Sequence, residues 1–298
     1  GEHDGMYLPY QYISNVTVDG KPLNLFAKMK GVFAMTTGRM GHNINAGAEW
    51  KMDKNYGRGQ QYDPARPISP GTPYRPRIYS HIPAMHQLSF YAQDNITLPF
   101  GGNLLSAQIG VRGSSLANLS SRYKMSGKVY IDPRLNLQWR FPETYIAGKP
   151  MTIDVNGGWG RQTKYPTLLQ IYPDRIYTDL IELNYYNLTP EYKRLYLHTY
   201  IDDPTNYYLQ PARNDKWELR LGMQYDGNSL SITYFHERMN DGFRSSSQVR
   251  PYSYRDYEEN AINGNTLTAK PSLENLPYSD KKILGIYSMT TNGSRMIK

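Results

Sequence analysis

The chain has 298 residues, 39% of them hydrophobic and 20% charged, a net charge of +8 and no cysteine. The missing cysteines exclude a disulfide framework, thiolate metal sites and a cysteine nucleophile. Lys and Arg are scattered without a basic block of five, so the positive charge does not mark a nucleic-acid partner.

Tyrosine is the outlier, at 28 against 7 Phe and 4 Trp. Its ring packs while its hydroxyl hydrogen-bonds, which suits surfaces that are half apolar and half wet. No window approaches about 18 apolar residues, so no transmembrane helix is expected. Gly1-Glu2-His3-Asp4 is polar and acidic with no apolar run behind it, so no secretory leader is expected within this chain. We expect a piece of a longer protein, cut at both ends.

Helical periodicity is scarce and period two dominates. In chain order the alternation predicts strands over Lys28 to Thr37, His42 to Met52, Met85 to Leu98 and Asn103 to Arg112. It continues with Val129 to Arg140, Met151 to Gly160, Lys216 to Tyr225, Ser229 to Arg238 and Lys282 to Thr290. The third is the clearest. Leu88, Phe90, Ala92, Ile96 and Leu98 share one face with Asp94 as the exception, and Gln87, Ser89, Tyr91, Gln93, Asn95 and Thr97 share the other. Arg112 is expected to interrupt the apolar face of the paired strand in the same way. Crossing a bilayer takes about nine to eleven tilted strand residues, whereas soluble strands run to about five or six.

The links alternate between short and long. Gly38 to Gly41, Pro99 to Gly102, Phe141 to Pro150 and Asp226 to Asn228 are short. Asp53 to Ala84, Gly113 to Lys128, Arg161 to Asp215 and Met239 to Lys281 are long. A soluble sandwich has no reason to put every long loop at one end, but a transmembrane β-barrel does. The proline-rich runs Asp63 to Pro67 and Pro70 to Pro76 are expected as loop, as is Tyr252 to Tyr257, and Pro166 to Leu183 is expected to carry a helical turn.

Four blocks, in order, resemble one family. "LSFYAQDNITLPFGGNLLSAQIGVRG" (Leu88 to Gly113) resembles a hairpin of TonB-dependent outer-membrane receptors. "DPRLNLQWRF" (Asp132 to Phe141) resembles the next strand of that family. "VNGGWGRQTKYPTLLQIYPDRIYTD" (Val155 to Asp179) is similar to its Gly-x-Gly strand end and ligand-facing loop, and "ARNDKWELRLGMQYDGNSLSITYFHERMNDGF" (Ala212 to Phe243) to its Glu-x-Gly hairpin. The resemblance implies an all-β, antiparallel transmembrane barrel, with residues 1–298 supplying nine or ten of about 22 strands. The family's plug domain and its closing C-terminal strand have no match here. Tyrosine-rich loops look most like Bacteroidetes-type members.

Candidate chemistry is sparse. The histidines His3, His42, His81, His86, His198 and His236 show no spacing for a metal site, so neither metal nor cofactor is expected. Asp202-Asp203 and Glu258-Glu259 read as solvated loop acids rather than a glycosidase pair. No phosphate loop, dinucleotide fingerprint or nucleophile elbow is present, so the chain is not expected to be an enzyme. The expected ligand contacts are Tyr165, Tyr172, Arg175, Tyr177, Tyr185, Tyr186, Tyr207 and Tyr208, because tyrosine faces stack on rings and guanidinium forks hold anions. Trp217, Tyr225, Tyr234 and Phe235 are expected in the interfacial aromatic girdles.

The resulting expectation is a barrel wall in the outer membrane of a Gram-negative bacterium. Its partners are a nutrient ligand (glycan, siderophore or similar), lipid, its own plug, the inner-membrane TonB complex and a surface lipoprotein, without nucleic acid. The competing readings are a plugless porin or structural barrel, and a soluble secreted β-rich glycan-binding protein.

Overall fold

The computed structural model describes residues 1–69 and 71–298. Fifteen strands account for most of these described residues. They are β1 (Glu2–Asp4), β2 (Thr17–Asp19), β3 (Pro22–Thr37), β4 (Met40–Asn55), β5 (Gly59–Gln61), β6 (Met85–Phe100), β7 (Asn103–Leu116) and β8 (Tyr130–Arg140). They continue as β9 (Thr144–Ile146), β10 (Lys149–Lys164), β11 (Ile176–Tyr185), β12 (Arg194–Asp202), β13 (Ala212–Tyr225), β14 (Asn228–Tyr257) and β15 (Tyr278–Ile297). The one α-helical turn among the described residues, α1 (Leu168–Ile171), falls inside the segment expected to carry it.

The nine long strands follow one another as antiparallel neighbours in a single sheet, in the order β15-β14-β13-β10-β8-β7-β6-β4-β3, with β9 folded back on β10. All nine expected strands are present. Most run past their expected ends, because beyond the apolar segment the alternation is between polar residues and leaves no hydropathy signal. The largest correction is at Tyr252 to Tyr257, expected as loop. This stretch is the far end of the 30-residue β14, paired with β15 as far as Tyr257 opposite Tyr278.

Tight turns close one end of the sheet. Gly101-Gly102, Ala147-Gly148 and Asp226-Gly227 each carry two positive φ angles, the type I′ geometry that matches strand twist in a two-residue hairpin. Long links gather at the other end and fold on themselves. There β1, β12 and β11 form a separate three-stranded sheet, and β2 pairs with β5. Of the proline-rich runs, Asp63 to Pro67 and the described part of Pro70 to Pro76 lie outside the strands as expected, and Pro70 itself lies outside the described residues.

The pleat sorts the side chains into two faces. Trp217, Leu219, Leu221 and Met223 of β13 stand opposite His236, Tyr234, Ile232 and Leu230 of β14. On the other side of β13 they meet Trp159, Gly157, Val155 and Ile153 of β10. Most of these apolar side chains are exposed. The buried hydrophobic clusters lie instead at the long-link end, where the links meet the ends of β7 and β14, and there are two of them. Leu116, Tyr123, Met125, Ile171 and Leu209 form one. Leu183, Tyr185 and Tyr257 form the other, with Tyr196, Ile262 and Leu267 packed against them. The sheet therefore has no hydrophobic core of its own, and its long-link end has two. No helix among the described residues is long and apolar enough to cross a membrane, so any crossing falls to the strands.

Candidate functional site

Alternation that sends apolar groups to one face sends amides and charges to the other, where they line a trough. A hollow of about 680 Å³ in it runs across β3, β4, β6, β7, β8 and β10. Glu49 sits there between two cations, 3.0 Å from Lys28 Nζ and in contact with Arg112. Lys28 also stands over the Tyr91 ring at 5.2 Å. Amides continue the lining, with Asn136 donating to Gln108 at 2.6 Å and Gln93 to Asn95 at 3.1 Å. A second hollow of about 600 Å³ extends the trough toward Asn156, Glu218 and Arg220.

Arg112 was expected on the apolar face and lies on the polar one, opposite Tyr91. The register makes this unavoidable, because Phe90 pairs with Gly113 and Ala92 with Val111. Asp94 does interrupt the apolar face, where its Oδ2 lies 2.8 Å from His42 Nδ1. A polar partner offsets the cost of placing a carboxylate among apolar neighbours.

The first loop cluster roofs the trough. By parity Leu116 and Tyr130 belong to the polar face, and both pack into that cluster with Tyr165, Tyr172, Tyr207 and Phe243. Tyr123 donates to the Ile171 carbonyl at 2.7 Å, and its ring lies 4.9 Å from that of Tyr207. Burial pushes the Tyr165 phenol up to about 12 and also raises Tyr123 and Tyr172.

The eight expected ligand residues therefore separate. Tyr165, Tyr172 and Tyr207 pack half-buried in the roof, and Tyr185 is buried in the second cluster. Arg175, Tyr186 and Tyr208 are exposed. Tyr177 stands half-buried, with the Arg75 guanidinium over its ring at 5.0 Å. Lys193 covers Tyr186 at 4.3 Å.

The girdle residues separate as well. Trp217 faces Trp159 across β10 and Tyr234 across β14, the latter ring at 5.3 Å. Toward the tight-turn end Phe100, Trp139 and Phe141 form a continuous aromatic run. Phe235 does not belong, since it pairs with Glu218 on the polar face, where Lys216 stands over its ring. One residue of register moves a side chain to the other face. Eight residues separate Trp217 from Tyr225, about 26 Å along the strand at about 3.3 Å each. With a strand tilt of about 40° that is about 20 Å of height, comparable with the apolar band of about 25 Å in an outer-membrane barrel.

Sequence reasoning missed an anchor between the small sheet and β14. Asp202, expected as a solvated acid, is 2% exposed and accepts hydrogen bonds from Arg250 and the buried Tyr252. Nothing in the local sequence marks this, because the partners lie about fifty residues away.

A model of the family described as TonB dependent receptor-like, beta-barrel matches residues 4–287. No curated protein and no solved structure matches the chain. Nearly the whole chain is covered, and the match agrees with the long antiparallel strands, the two-faced sheet and the division between tight turns and long links. Barrels of this kind belong to receptors and transporters of the Gram-negative outer membrane rather than to an enzyme family. The chain belongs to the TonB-dependent receptor-like β-barrel family.

Proposed function

We propose that residues 1–298 are part of the barrel wall of an importer that takes a nutrient across the outer membrane. The ligand binds at the long-link end, which faces outward. It then passes along the polar trough when the inner-membrane TonB complex displaces a plug domain held inside the barrel. One observation carries this reading: the trough is polar along its length and roofed by loops at one end only. A solute arriving from that side meets loops first and wall second. Paired charges and amides suit the polar surface of a plug or a hydrated solute. Arg175, Tyr177, Tyr186 and Tyr208 supply open faces for sugar rings or flat anionic ligands. The tyrosine-rich loops favour a Bacteroidetes-type glycan importer with a surface lipoprotein seated on the same end.

The test uses the full-length parent receptor in planar bilayers and in cells. The intact protein is expected to hold the bilayer closed, to conduct once its plug is removed, and to lose uptake when a protonophore collapses the energy supply. Steady conductance steps from the intact protein would overturn the reading in favour of a plugless porin. A monomer that stays in plain buffer and unfolds sharply would favour a secreted glycan-binding protein.

A further inference from the structure

The small sheet at the long-link end brings together Glu2 of β1, Glu182 of β11 and His198 of β12. One ligand atom from each lies within 4.8 Å of the others. Glu2 is directly opposite His198 in the β1/β12 register. On the other side, the β11/β12 register slips between Ile181 and Leu183, which leaves Glu182 as the extra residue of a β-bulge. A bulge re-aims a side chain, and here it turns a carboxylate inward.

Glu182 is 1% exposed. Its Oε1 accepts from the Arg255 backbone N–H at 2.8 Å, while Oε2 is buried without a hydrogen-bond partner. His198 Nδ1 is likewise buried without one and lies 3.4 Å from Glu182 Oε1. The imidazole is held in plane by Tyr200, stacked at 4.6 Å and 6°. Leaving a buried carboxylate oxygen unpaired is costly, and of the two carboxylates the nearby Arg255 guanidinium pairs with Glu2, at 3.8 Å.

We propose that Glu2, Glu182 and His198 bind a divalent transition metal of the zinc class, clipping β1 to β11 and β12. One imidazole nitrogen and two carboxylate oxygens match zinc, with a fourth position left for water. In a tetrahedral site with bonds of about 2.0–2.1 Å, ligand atoms sit about 3.3 Å apart, close to the 3.4 Å between His198 Nδ1 and Glu182 Oε1. Glu2 is the exposed, adjustable arm. Calcium and magnesium call for six or more oxygens and disfavour imidazole.

The experiment uses the full receptor in detergent, stripped with chelator, loaded with Zn²⁺, dialysed and assayed for bound metal. The wild type is expected to retain one more equivalent than either Glu182→Gln or His198→Gln. Zn²⁺ is expected to bind these variants at least tenfold more weakly, and a matched excess of Ca²⁺ not to displace it from the wild type. Glu2→Gln, at an exposed position, keeps the test valid should the buried variants fold poorly, and its Zn²⁺ affinity is expected to fall severalfold. Equal Zn²⁺ affinity in wild type and Glu2→Gln would overturn the proposal and leave Glu182 and His198 as a simple ion pair, and displacement by Ca²⁺ would overturn its zinc-class assignment.

Discussion

The ring of Tyr252 fills the space beside Gly285 on the neighbouring strand, where a single methyl group at residue 285 would sit. That bare position lets the Tyr252 hydroxyl reach Asp202 and anchor the small sheet to β14. Gly285→Ala is therefore expected to displace the ring and break the anchor, at a cost of about 1–3 kcal/mol for overpacking. Limited proteolysis of the full receptor should show earlier cleavage in residues 186–193 and 258–277, with the membrane-embedded strands unaffected. An unchanged cleavage pattern would mean that Asp202 is held without Tyr252.

Leu221 stands midway between Trp217 and Tyr225 on the apolar face, and Arg220 beside it points into the trough. Leu221→Arg is expected to destabilise the barrel by about 2–4 kcal/mol, the cost of a lipid-facing cation at the bilayer midplane. Thr233→Arg, opposite Arg220 on the polar face, should cost much less. Urea unfolding of the two variants in lipid vesicles compares them directly, and equal losses would refute the assignment of faces.

Glu49 holds Lys28 and Arg112 together on the trough wall. Both cations are partly exposed, so the loss on Glu49→Ala is discounted to about 1–2 kcal/mol. The double variant Glu49→Ala/Arg112→Ala should recover part of that loss, because one unpaired cation goes with the carboxylate. A double-mutant cycle by denaturant unfolding gives the coupling, and strict additivity would show that the pair contributes nothing.

Burial raises Tyr165 from its ordinary value near 10.0 to about 12, and raises Tyr123 and Tyr172 as well. In the unfolded loop these phenols ionise near pH 10, while in the folded roof they keep their protons. The roof's stability from this source is therefore complete below pH 10 and is lost as pH rises through about 12. Tyrosinate absorbance should show a late-ionising group of phenols whose release coincides with protease access to residues 117–129. Tyr165→Phe is expected to lessen the alkaline loss, at the expense of the 3.1 Å contact with Ser114 Oγ at neutral pH.

Sequence legibility followed the strength of the local signal. In β6 and β13 apolar and polar residues alternate so regularly that register, face and hairpin turn all follow from adjacent positions. Arg112 and Phe235 were misplaced because a one-residue error in phase reverses the face, and only the pairing with Tyr91 and with Glu218 decides it. The far half of β14 was invisible because a polar strand resembles a polar loop until its partner β15 is in place.

By itself, then, the sequence determined the strand count of the main sheet, its antiparallel order, the split between tight turns and long links, and its family resemblance. All of these rest on period two and on turn residues, which act between neighbours along the chain. Only the tertiary structure decided which tyrosines pack and which stay open, that Asp202 is buried, and that Glu2, Glu182 and His198 converge. The physical reason is distance along the chain. A buried carboxylate is defined by what surrounds it, and the partners that bury Asp202 lie about fifty positions away while Glu2 lies nearly two hundred from His198.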